Sequence, residues 1–370
     1  MEKISTYQLF CILTSFEIGT VVLINLGIEA KQDAWLAILI AMFCTLPLIW
    51  MYSVIGYNNT GKTWFQMIPH IVGPYLGYPL VVLYIMNFVY DSSRVLRDLS
   101  ELIETTILYG TPMIVIMFCL MITIVYCLRG GLQTFGRMSE ILFPCLIISG
   151  LVIWIIIFFS NTYDLRRLTP VLAEGMPVIW KTAFPKIITF PFSQLLVILI
   201  FWPSLKNSSK LRKIGLGVLI LSGVLITINM INMTSVLSAS LLAVQQFPLY
   251  SSTRMAVLKD FLDRLDIILI IVMLFGGFIK MGVFLYCATI GTAQLFRLEN
   301  YRALLIAVAT IIIPLASLSP KNFNEHLQIG LELYITYIAF PLYVIIPIII
   351  FCINSFRKKR IRFRKLDKGD

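Results

Sequence analysis

Charge is scarce in this sequence. Asp, Glu, Lys and Arg supply 13% of the 370 residues against 59% hydrophobic ones, too little to clothe a soluble globule. Histidine is scarcer still. The two present, His70 and His326, fall in segments that read as loops, which excludes a histidine-based metal cluster or a membrane-embedded histidine dyad. Seven cysteines lie within or beside apolar runs without CxxC spacing, so they read as small apolar residues rather than a disulfide framework or metal site. Neither a Walker loop nor a dinucleotide-binding glycine motif occurs, which leaves nucleotide-dependent enzymology without its phosphate cradle. The pattern implies neither an enzyme nor a cofactor.

What is present is apolar sequence in stretches of about 20 residues, the length that crosses roughly 30 Å of hydrocarbon. Ten such spans can be read, at about 7–30, 35–55, 75–96, 112–128, 141–159, 182–203, 214–236, 267–294, 303–318 and 331–354. The expected fold is an all-α membrane protein, one polytopic domain over residues 1–356 followed by a basic tail, 357–370. The first span is too long for a signal-peptide core and has no small-residue cleavage site. The longest connections, 160–181 and 237–266, have room for interfacial helices only.

Orientation follows the Lys and Arg count of the loops. With the N-terminus cytoplasmic, the inner loops hold Lys3, Lys62, Arg129, Arg137, Lys206, Lys210, Arg212, Lys213, Arg297 and Arg302, and the tail adds its own cluster. The outer loops hold Lys31, Arg166, Arg167, Lys181, Arg254, Lys259, Arg264 and Lys321. Both termini are therefore expected in the cytoplasm of a multi-pass inner membrane. The tail, which carries most of the net charge of +11, reads as a topology signal held near anionic lipid rather than a nucleic-acid arm.

Two spans look interrupted. The first places Glu17, Ile18, Gly19 and Thr20 near mid-depth, and the sixth carries Pro185 and Pro191 ahead of Phe192 and Gln194. If ten spans divide into two inverted halves of five, the first and sixth correspond. Discontinuous helices at those places leave backbone N–H and C=O groups free to hold a small solute, provided protein or a cavity shields them from lipid. Two ordinary kinks are the alternative reading, and simple kinks suffice for Pro47, Pro144, Pro341 and Pro347.

Ionisable side chains inside spans cost about 2.5–3.5 kcal/mol each on insertion scales, so they normally face a cavity or a partner. Glu17, Asp91, Lys186 and Lys280 are the instances. Lys280 lies too far from either interface to snorkel and calls for an anion, for which Glu17 or Asp91 is expected. Either acid could then carry a proton, and a fixed interhelical ion pair remains the alternative. Lys186, near a helix start, is expected to snorkel. Further along the third span Arg94, Arg97, Asp98, Glu101 and Glu104 form a stripe with two i,i+4 pairs, which reads either as a vestibule wall or as a solvated helix end. The aromatics Phe190, Phe192, Phe284 and Tyr286 are candidates to wall a pocket.

Specific runs then carry a resemblance: Thr6-Tyr7-Gln8 opening the first span, Leu168-Thr169-Pro170-Val171-Leu172-Ala173-Glu174-Gly175 after the fifth, Phe247-Pro248-Leu249-Tyr250 through Phe261-Leu262-Asp263-Arg264-Leu265-Asp266, and Gly276-Gly277-Phe278-Ile279-Lys280 with Phe284-Leu285-Tyr286. Over nearly the whole chain it resembles the permease-like B subunits of bacterial spore nutrient germinant receptors, which are related to amino acid permeases. The resemblance implies a LeuT-like 5+5 inverted repeat with broken helices 1 and 6. It also implies A-type and C-type partner subunits and a small, amino acid-like nutrient whose binding signals germination. Relatives keep Gly-x-Gly at the first break, whereas Gly19-Thr20-Val21 retains one glycine. The ligand set expected on these grounds is Glu17, Ile18, Gly19, Thr20, Asp91, Phe190, Pro191, Phe192, Gln194, Lys280 and Phe284, with Lys280 and Glu17 coupling occupancy to a rocking equilibrium. A proton-coupled amino acid transporter and a membrane scaffold with a vestigial pocket stay open, because each would carry the same cavity.

Overall fold

A computed structural model describes residues 2–256, 262–320 and 322–366. Among these the chain is helical, and the one β-like pairing is an isolated bridge between Ile4 and Leu205. Helix α1 (Thr6–Ile18) opens with a capping box: Gln8 N–H donates to Ser5 Oγ at 3.0 Å and Ser5 N–H to Gln8 Oε1 at 2.9 Å, which satisfies two otherwise orphaned donors. There follow α2 (Ala34–Asn58), α3 (Trp64–Val72), α4 (Pro74–Thr106), α5 (Met113–Arg129), α6 (Leu132–Phe158) and α7 (Met176–Thr182). Next come the short α8 (Ile198–Phe201), α9 (Leu211–Val244), α10 (Pro248–Ala256), α11 (Leu262–Leu295), α12 (Leu304–Ser317), α13 (Phe323–Gln328) and α14 (Ile346–Leu366).

Among the described residues six helical stretches are long and apolar enough to cross a membrane: Ile28–Asn58, Leu132–Phe158, Met176–Ser204, Ser208–Val244, Val272–Leu295 and Phe323–Arg357. Met113–Arg129 and Tyr301–Ser317 are shorter apolar helices. Helix α1 sits at the centre, packed against α6, α9 and α11, while α4 lies along α11.

Helix α4 is built inside out. Its Tyr75, Leu76, Leu83 and Met86 are exposed, whereas Asn87, Asp91, Ser92, Ser93, Arg97, Asp98 and Ser100 are buried. That is the amphipathicity expected where hydrocarbon surrounds the protein and polar side chains must find partners within it. The 94–104 stripe therefore turns inward for Arg97 and Asp98 instead of forming a solvated helix end.

Close packing is enforced where α3 crosses the start of α4. A Cβ built on Gly77 would stand 2.4 Å from Pro69 Cα, so Gly77→Ala must push two backbones apart. Overpacking of this kind costs about 1–3 kcal/mol, and a lowered unfolding temperature of the purified protein in nanodiscs is the expected result. Near the same side, Ile4 N–H donates to Ser204 O at 2.8 Å and Lys3 Nζ to Pro203 O at 2.8 Å, tying the entrance of α1 to the end of the 192–204 segment.

Both histidines lie in helices rather than loops. His70 is in α3, and His326 is in α13 with no exposed surface. The polar run before His326 hides a start signal, because the Asn322 side chain accepts from Asn324 N–H at 3.0 Å and caps α13, as Asn does at helix N-termini. The basic tail begins as a continuation of α14, where Arg357 donates to the carbonyls of His70 and Ile71 at 2.9 and 2.8 Å. Positions 367–370 of that tail lie outside the described residues, as do Lys259, Phe261 and Lys321 from the loop and motif readings.

Candidate ligand site between the first helix and the proline pair

Regular α-helix stops at Ile18. Gly19 caps it, its N–H donating to Ser15 O at 2.9 Å, and a 3₁₀ turn, Val21–Leu23, follows. A Cβ on Gly19 would meet Lys280 Cδ at 2.9 Å, so the absent side chain is what admits the lysine stem. Across from it, the prolines divert the backbone through a π-type segment, Ala183–Ile187, and a 3₁₀ run, Phe192–Val197, before α8.

A cavity of about 40 Å³ lies between these two irregular segments, α4, α11, the end of α13 and the residues 330–335 that follow it. Six of the expected ligand residues line it: Thr20, Asp91, Phe190, Gln194, Lys280 and Phe284. Glu17, Gly19, Pro191 and Phe192 stand outside that lining, and Ile18 faces a different cavity.

Lys280 has no exposed surface, and among the described residues its Nζ has no hydrogen-bond partner. The expected ion pair with Glu17 or Asp91 is not made. The ammonium instead lies over the rings of Phe190 and Phe16, 4.4 and 5.0 Å from their centroids, an attraction worth about 2 kcal/mol when desolvated. Glu17 is equally buried with both carboxylate oxygens unpartnered, and Gln194 Oε1 also lacks a donor. On the cavity wall one cation and one amide oxygen thus keep hydrogen-bonding capacity unspent, with the buried acid Glu17 outside the lining, and each unmade bond costs about 1–3 kcal/mol. Phe284, edge-on to Phe16 at 5.0 Å, closes the apolar side.

Asp91 is committed elsewhere. Tyr334 Oη donates to its Oδ1 at 2.7 Å, and Tyr343 Oη and Asn87 Nδ2 donate to its Oδ2 at 2.6 and 3.0 Å. Nine residues make two and a half turns of α-helix, so Tyr334 and Tyr343 would point to opposite sides. The stretch is wound as π-helix, Ile329–Ala339 and Pro341–Ile345, and its wider turn brings both hydroxyls to one carboxylate. The Tyr343 carbonyl accepts from Tyr52 Oη at 2.6 Å, and that of Leu342 from Tyr84 Oη. Nothing in the spacing of these tyrosines signalled the network.

Beyond Asp91 the cavity wall continues through Arg94 and Asp98. Arg94 donates to His326 O at 3.0 Å, and His326 Nε2 meets Asp98 Oδ1 at 3.0 Å with its Nδ1 against Ser319 Oγ. Asp98 therefore turns to α13 rather than back to Arg94, while Arg97 does pair with Glu101 at 3.0 Å. Lys186 pairs with Glu29 instead of reaching freely for an interface.

Comparison with known proteins places this geometry. A family model described as "Spore germination protein" matches residues 3–326. The chain belongs to this spore germination protein family. Spore germination protein KB of Bacillus subtilis is 32% identical over 372 residues, covering 100% of this chain and 99% of that protein. Spore germination protein YndE of the same organism is 24% identical, covering 97% and 98%. Among solved structures, MhsT in complex with L-phenylalanine superposes with a TM-score of 0.73 at 12% identity, over 95% of this chain and 88% of that one. This spore germination protein is thus a multi-pass membrane protein with a LeuT-type fold.

Proposed function

We propose that this spore germination protein is the nutrient-sensing, permease-like subunit of a germinant receptor. The carrying observation is that one cavity is lined by Lys280 and Gln194, both with unpartnered polar atoms, in a family whose members are germination proteins. In this reading ten spans form two inverted halves of five, and both termini are cytoplasmic. The first and sixth spans are the discontinuous pair, and backbone at Ile18–Thr20 and Phe190–Phe192 grips a small amino acid-like nutrient.

A zwitterion sets its carboxylate toward Lys280 and its ammonium toward Gln194 Oε1, both on the cavity wall, with Glu17 behind that wall. Asp91 acts by fixing the wall rather than by touching the ligand. Occupancy biases a rocking equilibrium, by no more than the ligand's difference in affinity between the states, and A-type and C-type subunits read the result.

The test is a thermal-shift screen of the protein in nanodiscs against the twenty common amino acids. A ligand at 100 times its Kd stabilises by about 2.7 kcal/mol. At least one amino acid should do this for the wild type and fail to do so for Lys280→Met. Equal stabilisation of both, or none of the wild type, removes the reading. Unpartnered Glu17 favours one second reading, a proton-coupled transporter, which saturable, pH-dependent uptake by the isolated chain in proteoliposomes would establish.

A further inference from the structure

A second cavity lies on the other side of the same turn. Its enclosed part is small, about 50 Å³, and it opens to one side as a groove. Along the turn the side chains part company: Thr20 and Ile24 line the polar cavity, Ile18 and Val22 the second one. Its walls come from α6, α9, α10 and α11, and Ile18, Leu146 and Val272 form a hydrophobic cluster separate from the main core.

Its chemistry is the reverse of the first. The lining is almost wholly apolar, and its polar side chains, Trp154 and Asn229, satisfy each other, Trp154 Nε1 donating to Asn229 Oδ1 at 3.2 Å. No polar ligand group is invited. Apolar cavities of this kind exclude water and accept hydrocarbon.

The mouth shows where the hydrocarbon comes from. Helix α6 is among the stretches apolar enough to cross the membrane and is the least buried of them. Leu151, on the rim, is 45% exposed, and its neighbour Gly150 has nothing within 4 Å of the place a side chain would start. The opening therefore lies between α6 and α9, two helices long and apolar enough to cross a membrane.

We propose that this cavity is a lipid site that takes one acyl chain of a bilayer phospholipid, packed against Ile18 and Val22 from the membrane side. The proposal rests on membrane placement and not on the nutrient reading.

The experiment reconstitutes the full chain in nanodiscs with a phosphatidylglycerol bearing a diazirine near the end of one acyl chain, without nutrient, and maps the photoadducts by mass spectrometry. Adducts are expected on the deep wall, Ile18, Val22 or Val272, in the wild type and in Gly150→Ala. Gly150→Phe projects a ring into the opening and should lose the deep adducts while keeping those on exposed Leu151 and Phe158. Leu225→Trp blocks the mouth from α9 and should do the same, covering the case in which Gly150→Phe does not fold.

A deep wall left unlabelled in the wild type overturns the proposal, as do adducts that persist in the blocked variants. Loss of deep labelling on assembly with partner subunits also overturns it, since the face would then belong to a protein contact. Because no nutrient is present, none of these outcomes bears on the polar cavity, and failure of the amino acid screen leaves the lipid site untouched.

Discussion

Lys280→Met is expected to abolish the germination response to nutrient at concentrations that saturate the wild type, while the protein still reaches the membrane. The ammonium is fully buried against Phe190 and Phe16 with every N–H unpartnered, so its hydrogen bonds are free for a ligand. Methionine fills a similar volume and keeps the packing against Gly19. It removes the charge that would hold a carboxylate, and each 1.4 kcal/mol lost is about tenfold in affinity.

A further cost falls on Glu17. Glu17 makes no ion pair with Lys280, but the lysine's charge is the one that offsets its own through the interior, so the single variant should also be less abundant. Glu17→Gln/Lys280→Met should restore abundance without restoring the response. Measured in spores whose sole receptor of this type carries the variant, a half-saturating nutrient concentration equal to that of the wild type would remove Lys280 from the site.

Asp91→Ala should fail differently, by losing the fold rather than the ligand. The carboxylate is the common acceptor for Tyr334, Tyr343 and Asn87. Truncating it strands buried donors at about 1–3 kcal/mol each. Partial rescue comes from Asn87, whose amide also reaches Tyr343 Oη and whose Oδ1 takes Tyr334 Oη, both at 2.9 Å. A net loss of about 3–5 kcal/mol in thermal or denaturant unfolding is expected, with Asp91→Asn between wild type and Ala because one acceptor oxygen remains. An Asp91→Ala protein as stable as the wild type but unable to bind would show that this carboxylate serves the ligand after all.

These two predictions divide at the line between what sequence makes visible and what it hides. An all-helical membrane fold was legible because apolar runs of spanning length say what surrounds them. Lys280 was legible as a burial anomaly, since no apolar run explains a cation at its middle. Its environment was not: rings at helical spacing read as packing, so the Phe16 and Phe190 faces gave no warning that they would stand in for an anion. His326 looked like a loop residue because Ser319, Pro320 and Asn322 crowd it. The same polarity turned out to be a helix cap and a hydroxyl partner. Tyr334 and Tyr343 were out of reach of any argument built on a period of 3.6, because the backbone between them does not keep that period.

That last stretch has a consequence for motion. A helix wound one residue too loosely has a tighter winding available to it, and here the looser one is pinned through its own two phenols by a single acid, and at its carbonyls by the phenols of Tyr52 and Tyr84, all three from α2 and α4. Release of that acid would let the coil tighten and swing Tyr343 away from Tyr334. Rotation of α14 relative to α13 would follow, with no hinge needed in the chain.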